Sequence, residues 1–122
     1  MHDEYERESS KDPPPRILVD GSGTTAVNGI YAYDGLFQGA CMYNKPGEYN
    51  GDPCLFSIFK CLVGSQTKRW FISVIPTNGR PGTNKDIDFF SALVTDDCEF
   101  IPPRDGWLKS ADGTDPLPAV LF

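Results

Sequence analysis

Two neighbouring apolar runs constrain the fold of this chain more than any other feature of its sequence. The first covers residues 53–62 (PCLFSIFKCL) and the second residues 68–76 (KRWFISVIP), and a short glycine-containing connection, residues 63–67, joins them. Runs of this kind on either side of a short connection are typical of a β-hairpin. Because both faces of the two runs are largely apolar, we expect the hairpin to be covered on both sides and to lie at the centre of a sheet.

The composition of the whole chain also favours β-structure. The 122 residues include 12 Gly and 11 Pro, and 12% of the residues are aromatic. Few segments are long enough for a helix without containing helix breakers or strand formers. A chain of this length is expected to form one domain with one core. We therefore predict an all-β single domain, an antiparallel sheet of about six strands arranged as a meander or a partly closed barrel.

The sequence divides into a central domain and two tails. Residues 1–15 are polar and acidic and end in three prolines, so we expect a disordered tail. Residues 16–108 are expected to form the β-domain, and residues 109–122 a C-terminal tail with an apolar tip (LPAVLF). Strands are expected at 16–20 (at an edge), 27–34, 36–44, 54–62, 68–76 and 86–95, with a short helix as the alternative for the last.

Glycine, proline and asparagine mark the expected turns. Asp34-Gly35 is expected to form the turn of the first hairpin, and Gly39 a bulge in its second strand. Residues 45–52 and 77–85 each contain two turn-forming dipeptides, so we expect both segments to be loops.

Charge and cysteine content indicate the environment of the protein. The net charge is −6 and the isoelectric point about 4.6, which disfavours binding to nucleic acid or to anionic membranes. No secretory signal and no membrane-spanning stretch is recognisable, so we expect a soluble, cytoplasmic protein. In that compartment the four cysteines, at positions 41, 54, 61 and 98, are expected to be free thiols.

The sequence offers little catalytic chemistry. The single histidine, His2, lies in the N-terminal tail, which argues against mechanisms that need a fixed imidazole. No zinc or EF-hand spacing is present, and the acidic residues at 86, 88, 96, 97 and 99 are interpreted as a solvated strand end. We therefore expect no catalytic residues, no metal and no cofactor.

Large rings placed along the expected strands predict the core. The sheet is expected to bury them together, since each removes about 150–250 Å² from water. The predicted core residues are Tyr31, Tyr43, Phe56, Ile58, Trp70, Ile72 and Trp107.

Several of these aromatic residues belong to a pattern that resembles a known module. The pattern is Val27-Asn28-Gly29-x-Tyr31, then Tyr43, Trp70-x-Ile72-Ser73 and Pro102-Pro103-x-x-Gly106-Trp107. It is similar to a short aromatic and glycine-rich module, "VNGxY…Y…WxIS…PPxxGW", that occurs as a repeat or accessory domain in unicellular eukaryotes. The resemblance covers about residues 26–108. It implies a small antiparallel β-module without catalytic residues that serves recognition or structure.

These observations favour a non-enzymatic module that binds another protein. The candidate binding residues are Asn78, Arg80 and Lys85 in one expected loop, Tyr49 in the other, and Val120 and Phe122 in the apolar tip. The tip is expected either to add as a strand to a partner or to fold back on its own sheet. Two alternatives remain open: a domain that binds glycans or small ligands through loops 45–52 and 77–85, and a structural subunit of a larger assembly. The sequence does not predict an oligomeric state.

Overall fold

In the computed structural model the chain forms one antiparallel sheet that is curled as a half-barrel. The structure describes residues 12–64, 66–75 and 87–122. Within these ranges the sheet has eight strands in the order β7-β6-β5-β4-β3-β2-β1-β8. The strands are β1 (Arg16–Asp20), β2 (Gly29–Phe37), β3 (Ala40–Tyr49), β4 (Asp52–Val63), β5 (Thr67–Ile75), β6 (Ile87–Leu93), β7 (Leu108–Lys109) and β8 (Ala119–Leu121).

The all-β prediction is confirmed, and the central hairpin lies where the two apolar runs predict it. Strands β4 and β5 pair without interruption from Leu55 opposite Ile75 to Val63 opposite Thr67. Residues 86–95 were expected as a strand or a short helix, and β6 occupies most of that segment as a strand. The sheet has two strands more than expected, and both come from the C-terminal segment.

The first hairpin turns at a different place from the expected one. Its turn is Gln38-Gly39, where both residues have positive φ (49° and 81°), and β2 continues through Asp34-Gly35. The register shifts between Tyr33 and Leu36, so the bulge lies at Asp34-Gly35 instead. Two glycines four residues apart both suit a left-handed backbone, and the buried ring of Tyr43 opposite Tyr33 fixes which of them turns the chain.

The loop expected at residues 45–52 is mostly strand. Strand β3 runs to Tyr49, the turn is the dipeptide Asn50-Gly51 with φ of 56° and 85°, and β4 begins at Asp52. Two central residues with positive φ match the twist of the flanking strands, which makes Asn-Gly a favoured hairpin turn. Gly47 lies within β3, and glycine is required there because a Cβ would come 2.8 Å from the ring of Phe56.

The core fills the inner face of the half-barrel. The seven residues predicted for the core are all at most 2% exposed. Their polar atoms are paired: the Tyr31 hydroxyl donates to the Val27 carbonyl at 2.7 Å, and the Tyr43 hydroxyl to the Pro14 carbonyl at 2.8 Å. Among the described residues no buried side-chain polar atom lacks a hydrogen-bond partner.

After β6 the chain crosses one end of the half-barrel, and we call residues 94–106 the cap segment. Its contacts follow three neighbouring strands in order. The Val94 amide donates to the Lys68 carbonyl of β5, the Lys60 ammonium of β4 donates to the Glu99 carbonyl, and the Cys41 amide of β3 donates to the Phe100 carbonyl. The Trp70 indole adds a buried hydrogen bond to the Cys98 carbonyl at 2.7 Å. The cap segment is thus fastened across the sheet.

Beyond the cap segment the chain crosses the half-barrel a second time. Strand β7 pairs with β6, and the crossing segment, residues 110–118, then reaches the loop after β1. The Asp112 amide donates to the Asp88 carbonyl at the start of this path, and the Gly23 amide donates to the Pro116 carbonyl at its end. Strand β8 finally pairs with β1.

The C-terminal segment therefore differs from the tail expected at residues 109–122. Val120 is fully buried and lies opposite Val19, so the apolar tip folds back on its own sheet. The same pairing places β1 between β2 and β8, whereas the sequence suggested an edge strand. The tail expected at residues 1–15 lies mostly outside the described residues.

No helix in the described part of the chain has the length and apolar character needed to cross a membrane.

Candidate functional site

The structure places the sequence-predicted binding residues in different parts of the molecule. Asn78, Arg80 and Lys85 lie outside the described residues. The Tyr49 ring packs edge-on against Phe89, with 5.2 Å between the ring centroids, so it supports the core.

Val120 is not available to a partner. Its side chain is buried, and its amide donates to the Arg104 carbonyl at 3.0 Å on the side of β8 that faces away from β1. Strand addition needs an edge with unpaired backbone groups. The cap segment already takes up this position on β8, so the structure contradicts the binding role expected for Val120.

Phe122 is the one described candidate that reaches solvent beside a cavity. Its ring is partly exposed and lies against the Arg104 guanidinium, 4.4 Å from Cζ to the ring centroid. The guanidinium also donates to the Phe122 carbonyl at 2.8 Å. These two contacts fix Phe122 as one wall of the cavity.

The cavity has a volume of about 550 Å³ and opens between the end of β6, the cap segment and Phe122. This volume lies within the range of ordinary ligand pockets, about 300–1,000 Å³. We call it the cap pocket. Its lining residues are Ala92, Leu93, Thr95, Asp97, Cys98, Ile101, Pro102, Pro103, Arg104, Asp105, Gly106 and Phe122.

The local sequence explains why the walls of the cap pocket hold their shape. Pro102 and Pro103 have no amide hydrogens, so the chain leaves the sheet ladder there. The Trp107 indole then donates to the Pro103 carbonyl at 3.0 Å and closes a short loop. Gly106 lies in this loop with φ of 82°, a backbone conformation that favours glycine.

The charged groups of the cap pocket are mostly acidic. The side chains of Asp97 and Asp105 are exposed at the cavity. The ion pairs found among the described residues, Lys60 with Glu99 and Lys109 with Asp115, include neither of them. The Arg104 guanidinium keeps its positive charge while it contacts Phe122, so two carboxylates and one guanidinium leave the lining with a small negative formal charge.

Exposed apolar side chains surround the same end of the half-barrel. The Leu62 amide donates to the Gln38 side chain, and Cys41 bonds to Phe100, so both hairpin turns and the cap segment meet there. Each of these apolar side chains is between 38 and 59% exposed. We call this group the apolar rim, and it comprises Leu36, Leu62, Val63, Leu93 and Phe100.

Burial keeps the titratable groups of the core in their protonated forms. Burial raises the pKa values of the Tyr31 and Tyr43 hydroxyls and of the Cys41 and Cys54 thiols above their ordinary values. Raised pKa values keep these groups protonated at neutral pH and poor as nucleophiles. Burial also raises the pKa of Asp88, which accepts a hydrogen bond from Ser73 at 2.6 Å.

The described residues also contain no group of three or more His, Cys, Asp or Glu side chains able to hold a metal ion. The Cys98 thiol faces backbone atoms, since it accepts a hydrogen bond from the Thr95 amide at 3.2 Å. The described part of the chain thus offers a shaped, acidic pocket beside apolar side chains.

The residues that carry the module-like pattern have structural contacts. The Asn28 side chain accepts a hydrogen bond from the Ser22 amide and donates one to the Ser22 carbonyl. The indoles of Trp70 and Trp107 donate hydrogen bonds to carbonyls of the cap segment. Sequence reasoning missed the residues that line the cap pocket, apart from Phe122. A partial signal was the run Pro102-Pro103-Arg104-Asp105, a charged loop next to two prolines.

Comparison of the chain with protein-family models, with curated proteins and with solved structures found no match in any of the three.

Proposed function

We propose that this protein is a non-enzymatic module that binds another protein through the end of the half-barrel that carries the cap pocket and the apolar rim. The observation that carries the proposal is the coincidence of both features at one end. Exposed apolar side chains that occur singly are ordinary, but a group of them next to a shaped pocket is typical of an interaction site. The pocket would receive an anchor from the partner, and the rim would exclude water around it.

Contacts within the chain cover β6 and β8 near the two edges of the sheet. This favours binding of a partner through side chains over the addition of a partner strand. The outer side of β8 is paired with Arg104, and β7 with the following residues covers β6 through hydrogen bonds to Phe89 and Asp88. A partner strand would have to displace these contacts in order to pair with β6 or with β8. We call the end of the half-barrel that carries the cap pocket and the apolar rim the cap end. Binding there requires no such rearrangement.

A cytoplasmic location belongs to the same proposal. Cys41, Cys54 and Cys98 are free thiols, which is usual for proteins of reducing compartments.

Affinity capture with matched surface variants tests the proposal. The immobilised wild-type protein is expected to retain a stoichiometric partner from an extract of its source cells. The double variant Leu93→Asp/Phe100→Asp should reduce capture at least about tenfold, because each buried interface charge costs more than about 1 kcal/mol. Ile30→Asp is the control, since Ile30 is 53% exposed and lies at the opposite end of β2 from Leu36. Equal capture by the double variant and the wild type would contradict the proposal.

The cap pocket supports a second candidate function, the binding of a small ligand. Its volume of about 550 Å³ suits a metabolite or a short glycan as well as a protein side chain. The site differs from the one suggested by sequence, because residues 45–52 form a hairpin and residues 77–85 lie outside the described ranges. A thermal-shift screen of metabolites and glycans decides between the two. A hit that Leu93→Asp abolishes, together with no captured partner, would favour the small ligand.

A further inference from the structure

The lining of the cap pocket indicates which kind of segment the partner would insert, an inference that rests on the proposed function. We infer that the cap pocket receives a peptide segment in which a bulky apolar side chain is followed or preceded by lysine or arginine. The apolar side chain would enter the cavity, and the basic side chain would meet Asp97 and Asp105 at its mouth.

The walls of the cavity indicate that the bound segment contributes an apolar side chain. Leu93, Ile101, Pro102, Pro103 and Phe122 line it, and all of them present carbon surface. Apolar surface removed from water stabilises a complex by about 25 cal/mol per Å² before the costs of association. Leu93 also belongs to the apolar rim, so apolar surface continues from the pocket onto the rim.

The carboxylates near the cap pocket indicate a basic side chain in the ligand, because one of them is paired with another described residue of the chain and two are not. Lys60 is bound to Glu99 at 3.3 Å, so this carboxylate at the cap end is neutralised within the chain. Asp97 and Asp105 are exposed and take part in neither of the ion pairs found in the described ranges. A cationic side chain in the cavity would be attracted by these carboxylates and by the net charge of −6.

The surroundings of Arg104 disfavour an anionic ligand. Its guanidinium donates to the Phe122 carbonyl at 2.8 Å and lies 4.4 Å from the centre of the Phe122 ring, so part of its donor set is already used. A carboxylate or phosphate that bound the remaining N–H groups would share the cavity with the carboxylates of Asp97 and Asp105. Two carboxylates against one guanidinium favour cationic over anionic segments.

A selection from a random peptide library displayed on phage provides the first test, with the full-length protein as bait. Counter-selection against Leu93→Asp removes peptides that bind elsewhere. We expect the enriched peptides to share one bulky apolar residue with Lys or Arg within about three positions, the reach of an extended segment at about 3.3 Å per residue. Enrichment of acidic peptides, of uncharged peptides or of no peptide would overturn the inference.

Titration of an enriched peptide against charge variants provides the second test. The double variant Asp97→Asn/Asp105→Asn should weaken binding about 3- to 10-fold, since exposed ion pairs contribute about 0.2–1 kcal/mol each. Asp20→Asn/Asp52→Asn removes the same charge from exposed positions outside the pocket lining and should leave the dissociation constant nearly unchanged. Equal weakening by both double variants would mean that only net charge matters and would overturn the pocket assignment.

The two tests also separate this inference from the proposed function. If affinity capture depends on Leu93 and Phe100 while the two aspartates have no effect on peptide binding, the protein-binding function stands and the basic segment is wrong. If capture is independent of the apolar rim, the proposed function itself fails.

Discussion

Replacement of Val120 by alanine tests whether the C-terminal strand is part of the folded domain. Val120 is 0% exposed and lies opposite Val19, which is also 0% exposed. The change removes two methyl groups from a packed site, at about 0.8 kcal/mol each for transfer plus a cavity term. We therefore expect a loss of about 2–3 kcal/mol in the free energy of unfolding.

Leu121→Ala is the matched control, because Leu121 is the next residue of the same strand and is 47% exposed. We expect this change to cost less than about 1 kcal/mol. Urea unfolding followed by far-ultraviolet circular dichroism measures both, and Val120→Ala should lower the midpoint by about 1 M at a typical urea slope. Equal midpoints for the two variants would refute the docking of β8 on β1. They would instead favour a free C-terminal tip.

Three further predictions follow from other contacts. Trp70→Phe should cost about 2–4 kcal/mol, measured by the same unfolding assay, because it opens a cavity and leaves the buried Cys98 carbonyl without its donor. Gly113→Ala should lower the melting temperature, since a Cβ there would lie 2.0 Å from the Phe89 carbonyl oxygen, and an unchanged value would contradict the path of the crossing segment. Burial, with a smaller contribution from a neighbouring carboxylate, raises the pKa of Asp88 above 3.8, so the folded state binds this proton more tightly than the unfolded chain and the charged form destabilises the fold. Asp88→Asn should therefore exceed wild type in the free energy of unfolding near pH 7, and the difference should shrink as the pH falls and vanish below the unfolded pKa of 3.8.

The central part of the fold was predictable because its signal is local. The runs that became β4 and β5 are apolar on both faces, and only a short connection separates them, so pairing followed from neighbouring residues. The core aromatics were predictable for the same reason, since their spacing along a strand determines the face on which they lie. The turn of the first hairpin was not predictable from local sequence. Gly35 and Gly39 both adopt positive φ, and only the strand register distinguishes them.

The C-terminal pairing and the candidate site could not be predicted because they depend on distant parts of the chain. A three-residue strand such as β8 has no periodicity to reveal it, and its partner β1 lies at the other end of the sequence. The cap pocket brings Leu93, Arg104 and Phe122 together only after the chain has crossed the sheet. Of the three candidate binding residues that the structure describes, Phe122 alone lines this pocket, and the other three candidates lie outside the described ranges.

The cap end of the half-barrel is the proposed binding surface of this protein. Amide chemical-shift mapping locates that surface: the isotopically labelled protein is titrated with the captured partner or with an enriched peptide. We expect the largest shifts on Leu93, on residues 95–106 and on Phe122. The turn at Asn50-Gly51, at the other end of the half-barrel, should remain unchanged. Shifts confined to that turn or to the β1–β8 pair would contradict the claim.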